Sequence, residues 1–182
     1  IQSFDSKYDI GRALASNEIE PFSNFTAQEN MGKNLFLTPP TFDSNSVRTS
    51  GGLGCAGCHR APEFDIDPNS LSNGFGGSIN GGADLTNTKA PTLRNLIQTN
   101  ETLNGPMMHT GIITSLQAAI GHYGNLTTAA QNNSNLDPRL KPNGIGQQLN
   151  LNATEINAMI AFLKTLSGTD VYTNEKWSNP FN

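Results

Sequence analysis

The chain has 182 residues and a formal net charge of −4. Only 14% of its residues are charged, against roughly 25% in an ordinary domain, so much of its polarity comes from Asn, Ser, Thr and Gln. The acidic balance argues against nucleic acid and anionic membranes as partners. No segment approaches the roughly 20 apolar residues of a membrane span, and the length favours a single domain.

The first 25 residues are predicted to form an N-terminal extension or linker, with a short helix over residues 8–15. Thr26-Ala27-Gln28-Glu29 is a capping box, because the hydroxyl of Thr26 and the carboxylate of Glu29 can each accept from a free backbone donor. It predicts a helix that ends at Pro39-Pro40. Residues 26–168 are predicted to form the main domain, and residues 169–182 a C-terminal tail.

Residues 55–59 read Cys-Ala-Gly-Cys-His, which is the attachment signature of a covalently bound c-type haem. Two thiols three positions apart can add to the two vinyl groups of one porphyrin. His59 then follows as the proximal ligand of the iron. The chain has no other cysteine. We therefore predict one haem c held by Cys55, Cys58 and His59.

Two other uses of these cysteines are less favoured. A structural zinc site would need a distant fourth ligand, either His109 or His122, and zinc pairs rarely place a histidine directly after the second cysteine. A thioredoxin-like dithiol would belong to a βαβ pattern, which the sequence lacks.

Residues 61–88 are dense in Gly, Asn and Asp and lack apolar periodicity, which normally counts against a compact domain. A haem would supply the missing apolar bulk for such a loop. Asn73-Gly74 is interpreted as ordinary turn chemistry.

Three further helices are predicted: one over residues 92–98, one from the capping box 114–117 through Tyr123, and one capped by Asn152 that ends before Gly168. No alternating strand pattern of useful length is present. The predicted fold class is therefore mainly α, a cytochrome c-like haem domain with long irregular loops.

Six segments follow one another in an order typical of a known family. They are Gly32–Phe36, Gly54–His59, Lys89–Asn95, Gly105–Gly111, Leu136–Leu140 and Ile160–Gly168. In these segments the chain resembles the C-terminal haem domain of the bacterial dihaem cytochrome c peroxidases and their relatives, including MauG. The resemblance covers roughly residues 26–168.

The sixth ligand of the iron decides its redox character, because a thioether raises the potential and a phenolate lowers it. In the family this ligand lies fourteen positions after the histidine that matches His109, which implies Tyr123. It is methionine in the peroxidases and tyrosine in the MauG type. Tyr123 also shares a helical stripe with Leu116 and Ile120, whereas His122 is turned by about 100° and is predicted at the surface. The residues alone leave other candidates, namely Met107, Met108, His109, His122 and Met159.

Other residues are expected around the haem. Arg94 and Lys89 are candidates to pair with its propionates, because an arginine can bind a carboxylate through two parallel bonds. The resemblance implies that His109 lies near the haem. It also implies calcium bound by the carbonyls of Asn104 and Pro106, a site that a partner domain would complete.

Two functions fit these residues. The first is transfer of single electrons by one haem to a redox partner protein or a second haem domain. The second is reduction of hydrogen peroxide, alone or as one half of a dihaem peroxidase. We favour the first, because the family's peroxide-reacting haem belongs to an N-terminal domain outside these residues. The family also has a tryptophan between its two haems, whereas the sole tryptophan here, Trp177, lies in the C-terminal tail. Covalent haem attachment further predicts a periplasmic or secreted bacterial protein.

Overall fold

The computed structural model describes residues 2–76, 92–178 and 181. In this part of the chain, four short strands form two antiparallel pairs: β1 (Pro40–Phe42) with β2 (Arg48–Gly51), and β3 (His59–Arg60) with β4 (Asp65–Ile66). Single turns of 3-10 helix lie at Cys55–Gly57, Pro138–Leu140, Pro142–Gly144 and Glu175–Trp177. The α-helices are α1 (Lys7–Leu14), α2 (Ala27–Leu37), α3 (Leu116–Gly124), α4 (Thr128–Gln131), α5 (Ala153–Lys164) and α6 (Asp170–Thr173).

Two predicted capping boxes open the two longest helices. Thr26 accepts from the backbone N–H of Glu29 at the start of α2, while the Glu29 carboxylate accepts from the N–H of Thr26. Asn152 and Glu155 make the same reciprocal pair at the start of α5. These local signals predict both helices because each satisfies backbone donors that a helix start leaves free.

Other predictions need correction. The fold is not plainly mainly α, because it also contains two small sheets, whose strands are too short to show an alternating pattern. Residues 92–98 are not helical. The Thr92 hydroxyl accepts from the N–H of Arg94, and Asn95 has a left-handed φ of 55°, so both favour a turn. The cap of α3 is Ser115 rather than Thr114.

The core forms where α2 packs across α5. Gly32 permits this close approach, because a side chain there would collide with the backbone carbonyl of Ala158. Phe36 of α2 meets Phe162 of α5 with ring centroids 5.1 Å apart. Phe64 lies 5.7 Å from Phe36, so the loop that follows the cysteines is anchored in the same aromatic core.

Three aromatic residues of the N-terminal segment belong to this core. Tyr8 of α1 packs edge-on against Phe64 at 4.8 Å, and Phe22 and Phe25 are also buried. Near the other end of the chain, the Asp5 carboxylate accepts from the backbone N–H groups of Thr169 and Asp170. The segment expected as an extension or linker thus packs against the main domain.

None of the helices in the described ranges is long and apolar enough to cross a membrane.

Candidate haem site

The two cysteines lie on a turn that is tied to the end of α2. The N–H of Leu53 donates to the carbonyl of Leu35 at 2.7 Å, and the N–H of Gly54 donates to Thr38 at 3.0 Å. Gly54 has a φ of 68°, and the 3-10 turn Cys55–Gly57 follows directly. Neither cysteine forms a disulfide, and both residues are half-buried. The turn therefore offers two unpaired thiols on one anchored segment.

His59 begins β3 and is only 8% exposed. Its Nδ1 lies 3.3 Å from the carbonyl oxygen of Phe64, a contact that favours the proton on Nδ1 and leaves the lone pair on Nε2. Burial lowers the pKa of His59, so the ring is neutral at pH 7. A backbone acceptor behind a neutral imidazole is the usual arrangement of a metal-binding histidine.

The protonation of the thiols separates the candidate chemistries. Burial raises the pKa of Cys55 to about 12 and also raises the pKa of Cys58. Both groups are therefore neutral thiols at pH 7. A reactive redox dithiol has a lowered pKa, so this environment disfavours the thioredoxin-like alternative.

Tyr123 lies near the end of α3 and is half-buried. Burial raises the pKa of Tyr123 to about 12, against a smaller lowering by a hydrogen bond from the Asn73 side chain. The charges of Cys55 and Cys58 add smaller contributions to the rise, which places Tyr123 and the two cysteines in the same region of the fold.

His109 and Thr110 carry buried polar atoms that lack partners. Both ring nitrogens of His109 and the hydroxyl of Thr110 make no hydrogen bond within the described part of the chain. The His109 ring packs edge-on against Phe75 at 5.9 Å, and Phe75 packs in turn against His122 at 5.3 Å. Buried polar groups are nearly always paired, so these atoms fit a site that a polar cofactor completes.

His122 is not the surface residue that its helical position predicts. It is half-buried, and its Nε2 donates to the backbone carbonyl of Asn73 at 2.9 Å. The prediction fails because residues 71–76 cross this face of α3, and helical periodicity carries no information about a loop that packs there.

Asn73 is a site residue that the sequence interpretation missed. Its Oδ1 accepts from the N–H of Phe75 at 2.9 Å, which is the turn chemistry expected of Asn-Gly. The side chain is also buried, however, and its Nδ2 donates to the sulfur of Met108 at 3.7 Å. No sequence signal separates this asparagine from an ordinary turn residue.

Arg94 does not lie where the sequence predicts. Its side chain is fully buried, and its two terminal nitrogens donate to the Asp9 carboxylate at 2.7 and 2.9 Å. Its Nε donates to the carbonyl of Pro62 at 2.7 Å. With these donors occupied by the protein, Arg94 joins α1 to the loop after the cysteines and is not available to a propionate. Lys89, the other predicted partner, lies outside the described residues.

Arg139 is a second residue that the interpretation missed. It donates to the carbonyl of Gly57 at 2.6 Å, and it pairs with Asp137 at 2.8 Å and Asp67 at 3.1 Å. It therefore holds the 3-10 turn Pro138–Leu140 against the cysteine turn. Its segment is one of the six that carry the family resemblance, which is the signal that could have identified it.

The remaining predictions concern methionines and calcium. Met159 is buried in the core, so it is unsuited as an iron ligand. Met107 packs against the same core, while Met108 reaches Asn73. The side chain of Asn104 donates to Asn95 and Tyr172, and no cluster of three His, Cys, Asp or Glu residues exists in the described ranges, so nothing here supports calcium.

The sequence matches none of the known protein families with which it was compared, and it matches no curated protein. The fold, by contrast, is similar to the crystal structure of a MauG-like protein associated with microbial copper homeostasis. The TM-score is 0.59 and the sequence identity is 21%. The match covers 99% of this chain but 57% of that chain, so this chain spans little more than half the length of its neighbour. We conclude that the chain has a MauG-like fold of the cytochrome type.

Proposed function

We propose that the chain is a monohaem c-type cytochrome domain, related to the C-terminal domain of the cytochrome c peroxidases, that transfers single electrons. One observation carries the proposal. A neutral His59, oriented by the carbonyl of Phe64, directly follows two neutral thiols on an anchored turn. This arrangement meets the needs of covalent attachment and proximal ligation together.

The residues around this turn fit a haem. Cys55 and Cys58 would attach it, His59 would be the proximal ligand, and Tyr123 would be the sixth ligand. The unpaired atoms of His109 and Thr110 would face it. When bound, the haem supplies an iron centre that accepts and returns one electron.

Electron transfer suits these residues better than peroxidase chemistry. With His59 and Tyr123 both committed to the iron, peroxide would have to displace a protein ligand before it could react. The expected partner is a redox protein or a second haem domain, in the periplasm or outside a bacterial cell.

Peroxide reduction by one half of a dihaem enzyme remains the second candidate. It is favoured by the structural neighbour, because about two fifths of that MauG-like chain has no counterpart in these 182 residues. A second haem domain in that position would supply the open iron that this domain lacks.

The experiment that tests the proposal measures haem attachment and turnover together. We expect the denatured protein to retain its colour after acid–acetone extraction and to exceed the polypeptide mass by one haem. The double variant Cys55→Ala/Cys58→Ala should carry none. A single-cysteine variant, Cys55→Ala, serves as the matched control and should retain one thioether link. Extraction of the wild-type colour would refute covalent attachment of the haem, and peroxide turnover by the isolated chain at the rate of a dedicated peroxidase would refute the electron-transfer role.

A further inference from the structure

His109 and Thr110 lie next to each other at the tip of one tight turn. The backbone N–H of Gly111 donates to the carbonyl of Met108 at 3.0 Å, so His109 and Thr110 are the two central residues of this turn. Met108 and Gly111 at its ends have left-handed φ values of 64° and 69°. The backbone therefore holds two adjacent polar side chains in one place.

The polar atoms of both side chains are buried without a partner. Neither ring nitrogen of His109 and not the hydroxyl of Thr110 makes a hydrogen bond within the described residues. An imidazole has at least one N–H in either protonation state, and a threonine has one O–H. A buried donor without an acceptor destabilises a fold, and such groups are nearly always paired. The group that completes this site must therefore accept hydrogen bonds from two donors.

Residues 71–76 pack against the turn. The side chain of Asn73 donates to the sulfur of Met108 at 3.7 Å, and the ring of Phe75 lies edge-on to the ring of His109 with centroids 5.9 Å apart. The two unpaired side chains therefore adjoin this segment rather than a separate part of the surface.

The same segment is joined to the cysteine turn. The backbone N–H of Leu71 donates to the Asp137 carboxylate at 2.8 Å. Arg139 pairs with that carboxylate at 2.8 Å and donates to the carbonyl of Gly57 at 2.6 Å. The segment therefore contacts the turn of His109 on one side and, through Asp137 and Arg139, is connected to the cysteines on the other.

The chemistry of haem indicates which of its groups belongs at His109. The vinyl groups and the propionates of haem lie on opposite edges of the porphyrin, so attachment at Cys55 and Cys58 directs the propionates away from the cysteine turn. Arg94 does not serve them, because its side chain is buried and paired with Asp9. An ionised propionate only accepts hydrogen bonds, and its two oxygens can accept several.

We propose that His109 and Thr110 bind a haem propionate, His109 through a ring N–H and Thr110 through its hydroxyl. This inference rests on the proposed function, because it requires a haem attached at Cys55 and Cys58, and it deepens that function by assigning the anchor at the opposite edge of the haem. Ligation of the iron by His109 would leave the Thr110 hydroxyl without a partner, whereas one carboxylate accepts from both residues.

The two hydrogen bonds also affect the iron. A charged acceptor makes hydrogen bonds about twice as strong as a neutral one, so donors at this position compensate part of the carboxylate charge. Without them the negative charge acts more strongly on the iron and favours its ferric form. Loss of either donor should therefore lower the reduction potential.

The test uses the ferric holoprotein and two pairs of variants. His109→Leu and Thr110→Val remove the donors, while His109→Gln and Thr110→Ser keep an N–H and an O–H. Thr102→Val is the matched control, because it removes an exposed threonine hydroxyl that donates to Asn100 at 2.6 Å. Resonance Raman reports both the bending vibrations of the propionates and the spin state of the iron, and spectroelectrochemistry reports the potential.

We expect His109→Leu and Thr110→Val to shift a propionate vibration to lower frequency and to lower the potential, with the spin-state bands of the wild type. The donor-keeping variants and Thr102→Val should match the wild type. If His109→Leu carries no haem, Thr110→Val and Thr110→Ser decide the question.

Two results would overturn this inference alone. One is wild-type propionate vibrations in the haem-loaded variants that lack a donor, which would mean that water or another group pairs with these side chains. The other is a high-spin iron in His109→Leu, which would identify His109 as an iron ligand. Extraction of the wild-type colour by acid–acetone would overturn covalent attachment, and this inference with it.

Discussion

Two regions of the molecule are held together in different ways. The framework, made of α1, α2 and α5 with their aromatic residues, is closed by apolar contacts and by buried polar pairs such as that of Arg94 with Asp9. The haem-facing region, made of residues 71–76, residues 107–113 and α3, has buried ring nitrogens that make no hydrogen bond within the described ranges, and two of its side chains converge on one asparagine. We therefore expect the framework to fold from its own contacts, and the haem-facing region to be completed by the proposed haem. Framework variants should therefore lower stability with or without haem, and haem-facing variants should act mainly on the loaded protein.

The largest effect is expected in the middle of the framework. Phe162 is fully buried and packs against Phe36, Phe64 and Phe25. Phe162→Ala should lower the free energy of unfolding by about 3–5 kcal/mol, because it removes apolar contacts and leaves a cavity. Chemical denaturation of haem-free and haem-loaded protein measures it. Ile112→Ala, at a site 68% exposed, is the control and should change little. A loss confined to the loaded protein would break the distinction between the two regions.

The buried ion pair gives the next effect and adds a dependence on pH. Replacing Arg94 with Met leaves the Asp9 carboxylate without its ion-pair partner and should lower the free energy of unfolding by about 3–5 kcal/mol. Burial opposes ionisation of Asp9, but the hydrogen bonds and charge of Arg94 hold its pKa below the ordinary value. Since the folded pKa is the lower one, this stabilisation is complete above the ordinary carboxyl pKa and is lost as the pH falls through the folded value.

Denaturation between pH 7 and pH 2 checks this prediction. The wild type should lose more stability than Arg94→Met over that range, because the variant no longer has the favoured carboxylate. Arg12→Met is the control, because it removes a more exposed ion pair in which Arg12 Nε lies 3.3 Å from the Glu18 carboxylate. It should lower the free energy of unfolding by less than about 1 kcal/mol. Equal acid sensitivity of wild type and Arg94→Met would contradict this role for Arg94.

A smaller effect is expected at the start of α2. Thr26→Ala removes the hydroxyl that accepts from the backbone N–H of Glu29. It should lower the free energy of unfolding by about 1 kcal/mol, equally in haem-free and haem-loaded protein. Ser44→Ala, in an exposed turn, is the control. Unchanged stability would mean that the capping box predicts the helix start without stabilising the fold.

The sequence predicts the framework better than the haem-facing region for a physical reason. Thr26 and Asn152 cap their own helices, and the periodicity of α5 lies within twelve residues. Asn73 contacts Met108 and His122, which are distant in the chain and are brought near only by folding. Arg94 is the opposite case, a residue whose predicted role the fold does not support. Its residue type suits a haem propionate, but the fold pairs it with Asp9. Local chemistry can be predicted from neighbouring residues, but the partners of a buried polar side chain depend on the whole fold.

The smallest effect on stability, and the largest on the spectrum, is expected at Tyr123. Tyr123→Phe removes one hydroxyl from a half-buried side chain, so the free energy of unfolding of the haem-free protein should fall by no more than about 1 kcal/mol. The loaded protein should lose its sixth ligand, shift toward high spin in the ferric state and bind added cyanide or imidazole more readily. Tyr172→Phe, which removes a more exposed hydroxyl bonded to Asn104, is the control for both measurements. If Tyr123→Phe instead destabilises the haem-free protein as strongly as Phe162→Ala does, Tyr123 belongs to the framework. The haem-facing region would then consist of residues 71–76 and 107–113 without α3.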